Sequence, residues 1–138
     1  MIASQLDELV RFYEALTPES VDRLGDFYAT DAYFKDPFNE VRELSAIQAI
    51  FAKMFHKLES PRFVITERIV GETSVALTWD FEFGLRGAPI RVRGASVLRF
   101  AADGRVIYHR DYWDVAEELY EKLPALGALM RWLKRRAG

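Results

Sequence analysis

From Arg62 onward the apolar residues stop recurring every three or four positions and begin to recur at every second one. FVITERIV, SVALTWDFEF, IRVRGASVLRF and RVIYHRDYW each read as a strand with one apolar edge. Short turn signals part them: Gly71-Glu72, the stretch from Gly84 to Gly87, and Ala102-Asp103-Gly104. Strands joined this closely pair antiparallel, and their alternation asks for cover on one face of the sheet.

The first sixty residues supply that cover. Leu6, Leu9, Val10, Tyr13 and Leu16 repeat at helical spacing, and Thr17-Pro18 marks a stop and a new start. Thr17 as N-cap with Pro18 behind it predicts a second, short helix running to about Phe27-Tyr28. Asp31 to Asp36 reads as a short strand broken by Pro37. Ser45 and Gln48 have capping-box spacing, and Ile47, Ile50, Phe51, Met54, Phe55 and Leu58 form a broad apolar stripe. Ser60-Pro61 is the expected end of that helix. After the last strand, Asp114 and Glu117 form another capping box, Pro124 interrupts, and LGALMRWLKRR reads as a final helical segment. The expectation is one α+β domain over residues 1–138, with 114–136 a C-terminal helical extension.

Composition removes several kinds of chemistry. The chain has no cysteine, which excludes thiol nucleophiles, disulfides and thiolate metal sites. Its two histidines, His56 and His109, lie far apart, so no metal site is expected. A net charge of −2 provides no basic field for nucleic acid. MIASQLDELV lacks the cationic start and apolar run of a secretory signal, and no stretch has the length of a membrane span. A cytoplasmic location is the corresponding expectation.

The chemistry-bearing stretch is IYHRDYWD. Strand alternation places Ile107, His109, Asp111 and Trp113 on one face and Tyr108, Arg110, Tyr112 and Asp114 on the other. His109 and Asp111 are then about 7 Å apart along the chain, within reach through long rotamers or a water. A carboxylate beside an imidazole fixes its tautomer or activates a water; the bland alternative is a half-buried ion pair. Asp36 precedes a proline, which makes it an ordinary turn opener by local sequence. Asp80 and Glu82 fall opposite Arg93 and Arg91 on the polar sheet face, while Trp79 and Phe81 turn inward. His56, with Lys53 and Lys57, sits on the polar side of its helix. Tyr13, Tyr28 and Tyr33 are each able to point a hydroxyl inward. In the tail, Leu123, Leu126, Leu129, Met130 and Leu133 share helical spacing. That stripe suits a lid over the domain or a partner contact better than a membrane-surface helix.

Two segments carry a family resemblance. FYATDAYFKDPFNEV resembles the ketosteroid isomerase segment in which an Asp before Pro-Phe is the general base, the place of Asp36. RVIYHRDYWD resembles the last strand of those isomerases. It is also similar to the limonene epoxide hydrolase run that carries a catalytic Asp at the place of Asp111. From about Leu6 to Ala116 the chain therefore resembles the nuclear transport factor 2-like superfamily, which also includes SnoaL-like polyketide cyclases. The resemblance implies a cone: a curved antiparallel sheet, mixed at its edge, wrapped around N-terminal helices and enclosing an apolar cavity. It implies Asp36, His109 and Asp111 as catalytic residues and Tyr13, Phe51, Trp79, Phe81, Ser96 and Trp113 as ligand-binding wall. It also implies a small hydrophobic ligand, no cofactor, and a homodimer through the outer sheet face. Phe12 and Ser96 stand where the isomerases place their oxyanion donors. A non-catalytic binding protein of the same fold is the rival, and an interaction module using the outer sheet face is a third reading.

Overall fold

The computed structural model describes residues 2–120 and 124–137. Helix α1 (Ile2–Glu14) opens the chain, followed by a 3-10 helix at Ser20–Asp26. Strand β1 (Tyr28–Lys35) and the short β2 (Glu40–Arg42) lead into α2 (Leu44–Lys57). Four long strands follow: β3 (Glu59–Val70), β4 (Val75–Leu85), β5 (Ala88–Phe100) and β6 (Val106–Tyr112). A short helix α3 (Val115–Glu118) and the terminal α4 (Pro124–Ala137) complete it. The strands form one sheet in the order β2-β1-β6-β5-β4-β3. Every pairing is antiparallel except β1 with β6, so the sheet is mixed toward one edge.

The core lies between this curved sheet and the helices. Leu6, Leu9, Val10 and Tyr13 from α1 meet Ile47 and Phe51 from α2 over Leu77, Leu98 and Val106 of the sheet. A second cluster, Trp79, Phe83 and Val92, packs with Phe63, Phe81 and Trp113 toward the open end. The β4–β5 register sets Asp80 opposite Arg93 and Glu82 opposite Arg91, as the alternation predicts. The ion pairs are shared more widely: Arg62 takes Glu82 at 2.8 Å, and Arg93 turns to Glu117 and Glu118 of α3. Glu118 is buried and also accepts the Arg93 backbone N–H at 2.6 Å, which fastens α3 to β5.

Several local expectations give way. The short second helix is a 3-10 helix from Ser20 to Asp26 whose N-cap is Glu19, not Thr17; the Thr17 hydroxyl accepts the Ser20 N–H at 3.1 Å in the turn before it. Tyr28, expected at that helix's end, instead begins β1. The box at Ser45 and Gln48 does not form, because the N-cap of α2 is Glu43, two residues earlier, and Gln48 reaches across to the Val21 carbonyl at 3.3 Å. That helix ends at Lys57, and Pro61 lies inside β3, an edge strand where a missing N–H costs no ladder bond. Asp114 caps α3 as expected, accepting the Glu117 N–H at 3.1 Å. Leu123 lies outside the described residues, as do the side chains of Leu126 and Met130. On α4, Leu129, Trp132 and Leu133 are exposed.

Alternation on β6 is broken once. Phe100 pairs with Val106 but Arg99 pairs with Tyr108, leaving Ile107 as a bulge. Val106 is therefore buried and Ile107 is 39 % exposed, against the expectation that Ile107 shares the inner face. Beyond the bulge the phase is the expected one: His109 is buried, and Asp111 follows on the same side.

Candidate active site

A cavity of about 580 Å³ opens between α2 and the concave face of β4, β5 and β6. Its wall is mostly aromatic and aliphatic, and all nine candidate residues line it: Tyr13, Asp36, Phe51, Trp79, Phe81, Ser96, His109, Asp111 and Trp113. The expected polar side of α2 also contributes, since Lys53 and Lys57 line the cavity too. Among the described residues, α3's follower Leu119 lines it and no residue of α4 does.

Its polar groups form one continuous chain. The Tyr13 and Tyr28 hydroxyls are 2.5 Å apart, and the Tyr28 hydroxyl is 2.5 Å from His109 Nδ1. On the other ring nitrogen, His109 Nε2 lies 2.6 Å from Asp111 Oδ1. From the opposite side, Trp79 Nε1–H donates to Ser96 Oγ at 2.9 Å, and the Ser96 hydroxyl donates to the same Asp111 oxygen at 2.5 Å. Trp79 can only donate, so Ser96 must pass its own proton on to Asp111.

These donors assign the histidine. With Asp111 as a carboxylate, Nε2 carries hydrogen toward it and Nδ1 of the neutral ring accepts from Tyr28, which in turn accepts from Tyr13. Every buried side-chain N and O among the described residues then has a partner. The ring is held by edge contacts from Tyr13 and Phe34 as well. Burial is the largest influence on the two tyrosines and pushes both hydroxyls well above the usual phenol range, so they remain protonated. The Asp111 side chain is 17 % exposed against 5 % for His109, so the carboxylate is the open end of the chain. Among the described residues nothing donates to Oδ2 of Asp111.

Asp36 is differently placed. It follows β1, and its Oδ1 accepts the Phe38 and Asn39 backbone N–H groups at 2.8 and 2.7 Å, with the Asn39 amide at 3.1 Å. Those bonds are the turn-opening role that the local sequence suggests. Its side chain also lines the cavity, where Oδ2 receives a longer contact of 3.2 Å from Asn39. No hydrogen bond joins Asp36 to His109 or Asp111 among the described residues.

Phe12, at the oxyanion-donor place, is buried and stacks near Phe27 at 4.5 Å, away from the cavity wall. Tyr28 is the member of the chain that sequence reasoning undervalued. Its signal was the parallel β1–β6 pairing, which sets Tyr28 beside Val106 and brings its hydroxyl under His109. Gly94 opposite Trp79 is a second such residue: a Cβ there would fall under 3.0 Å from atoms of the indole, so only glycine lets that ring lie across β5 toward Ser96. Among the described residues no three His, Asp or Glu side chains gather as a metal site, and no helix is long and apolar enough to cross a membrane.

The fold is nuclear transport factor 2-like, as in solved structures it resembles. The SnoaL-like domain family matches residues 9–109, more than half of the chain, and the protein belongs to that family. A comparison with curated proteins finds no match. Among solved structures, a hypothetical protein of ketosteroid isomerase-like fold from Catenulispora acidiphila, in complex with trimethylamine, is similar at TM-score 0.73 and 19% identity, over 88% of this chain and 94% of that one. A putative SnoaL-like polyketide cyclase from Jannaschia sp. CCS1 is similar at TM-score 0.71 and 14% identity, over 83% and 88% of the two chains. An LEH-like epoxide hydrolase from Mycobacterium tuberculosis gives TM-score 0.65 and 18% identity, over 78% and 80%. At these identities the likeness is one of fold.

Proposed function

We propose that this chain is a cofactor-independent acid–base enzyme, an isomerase, cyclase or hydrolase, acting on a small hydrophobic molecule held in the cavity. The observation that carries the reading is the hydrogen-bonded line Tyr13–Tyr28–His109–Asp111, which starts and ends at the cavity wall. Asp111 is the general base, removing a proton from the substrate or a water through Oδ2. His109 and Ser96 fix Oδ1, so the carboxylate cannot rotate away from the substrate. Asp111 itself returns that proton to the substrate, and Asp36, with Oδ1 committed to its turn, is the second carboxylate of the cavity.

The tyrosine arm adds a polarity that can reverse. With His109 neutral, its Nδ1 accepts, and Tyr13 turns its oxygen lone pair to the cavity. With His109 charged, Nδ1 donates, both hydroxyls rotate, and Tyr13 offers an O–H to a developing oxyanion. One proton on the imidazole thus changes what the cavity presents at its far wall.

The test is Asp111→Asn against a panel of ketones, epoxides and polyketide-like esters. Turnover should be lost while an apolar dye still binds the cavity. Retained turnover in this variant would sink the assignment. The second reading, a non-catalytic binding protein, is favoured by the Asp36 carboxylate being tied into its own turn; wild-type protein that binds panel members and converts none of them supports it. A homodimer through the outer sheet face belongs to the same proposal. Sedimentation at micromolar concentration giving a monomer would remove it.

A further inference from the structure

The cavity-facing side of α2 runs Ile50, Lys53, Met54 and Lys57, positions one turn apart along a single face, with Leu58 just past its end. Two of those positions are lysine, both exposed, and Lys57 stands in the last turn of α2, where the helix dipole favours a cation. Neither has an acidic neighbour on its own helix: the residues three and four positions before and after are Ala49, Ile50, His56, Met54, Ser60 and Pro61. Among the described residues neither makes an ion pair. Being four apart, they also repel each other across about 6 Å of helix.

The two carboxylates of the cavity do not answer them. Asp36 is occupied by Phe38 and Asn39, and Asp111 by His109 and Ser96. Both lysines are exposed, so they stand at the rim, while the Ser96–Asp111–His109 cluster lies on the sheet side of an apolar wall. The cavity is therefore polar at its reactive wall, apolar through its body, and cationic at its mouth.

We infer that Lys53 and Lys57 form an oxyanion subsite, and that the natural ligand is an amphiphile with one acidic group, of carboxylate, sulfonate or phosphate type. Its apolar body fills the cavity and its anion sits between the two ammonium groups, relieving their repulsion. This deepens the proposed function and rests on the cavity being the ligand site.

Two fluorescent probes with the same aromatic body separate the parts. 8-Anilinonaphthalene-1-sulfonate carries a sulfonate, and N-phenyl-1-naphthylamine carries no charge. Binding is read by energy transfer from tryptophan in a Trp132→Phe background, where the remaining tryptophans, Trp79 and Trp113, both line the cavity. The sulfonate probe should bind about tenfold more tightly than the neutral one, as one charge-assisted contact provides. That preference should shrink with added salt. Lys53→Gln with Lys57→Gln should abolish the preference and leave the neutral probe's affinity unchanged, and the paired Arg replacements should restore it. Equal affinity of the two probes for the parent, or a preference that survives the double Gln variant, overturns the subsite and leaves the cavity reading standing. Absence of energy transfer to either probe overturns both.

Discussion

The middle of the buried polar line should matter more to stability than its end, and Tyr28→Phe measures this. The substitution keeps the ring, which packs 5.9 Å from the His109 ring, and removes only the hydroxyl. Two bonds of 2.5 Å are lost at once, leaving the Tyr13 O–H and His109 Nδ1 without their partner. Both residues are buried, at 6% and 4% exposure. An orphaned buried polar group costs about 1–3 kcal/mol, so two of them cost about 2–4 kcal/mol once Tyr13 turns its hydroxyl toward the cavity. Tyr13→Phe removes one bond and leaves the Tyr28 O–H still donating to His109, for about 1 kcal/mol. The double variant should cost less than the sum, because each change removes an orphan that the other creates. Urea unfolding at neutral pH gives the three free energies. Equal costs for the two single variants, or Tyr28→Phe below about 1 kcal/mol, would refute the continuous buried line.

Other outcomes follow from the same contacts. Because burial holds the Tyr13 and Tyr28 protons in the folded state beyond the ordinary phenol value of 10.0, stability is intact below that pH and falls as pH rises above it. Alkaline unfolding of Tyr28→Phe, followed by circular dichroism, should be the shallower of the two. Gly94→Ala drives a methyl into the Trp79 ring and should cost about 1–3 kcal/mol in thermal or urea unfolding. It should also shift tryptophan emission as the indole leaves Ser96. Glu118→Ala frees the Arg93 backbone N–H, and hydrogen exchange at that amide should accelerate while α1 amides stay protected.

What the sequence made legible was whatever a period encodes. The stripes of α1 and α2, the β4–β5 register and the inward set from Trp79 to Trp113 all follow from apolar spacing, and they carry the fold. What it hid depended on partners distant in the chain. Ser45 and Gln48 have the spacing of a capping box, but the Val21 carbonyl was the better acceptor for Gln48. Tyr28 read as the end of a helix because the 3-10 turn before it has no apolar repeat of its own. His109 and Asp111 were visible as a pair, yet the hydroxyl beneath them came from β1, across a parallel pairing that local sequence does not reveal. Asp36 shows the opposite case, where the ordinary local reading as a turn opener describes its hydrogen bonds well.

The Ile107 bulge has a consequence for how this scaffold can change. Four polar side chains in a row, Tyr108 to Asp111, are sorted into a reactive pair and an outward pair by their register on β5, and Ile107 upstream is a surplus residue that the bulge absorbs. Losing that residue would leave a regular ladder, with the imidazole and carboxylate still facing the cavity and Tyr108 and Arg110 still facing outward. A lineage carrying this sheet can therefore lose that codon and keep the chemistry its cavity presents. That route leaves the residues of the core untouched.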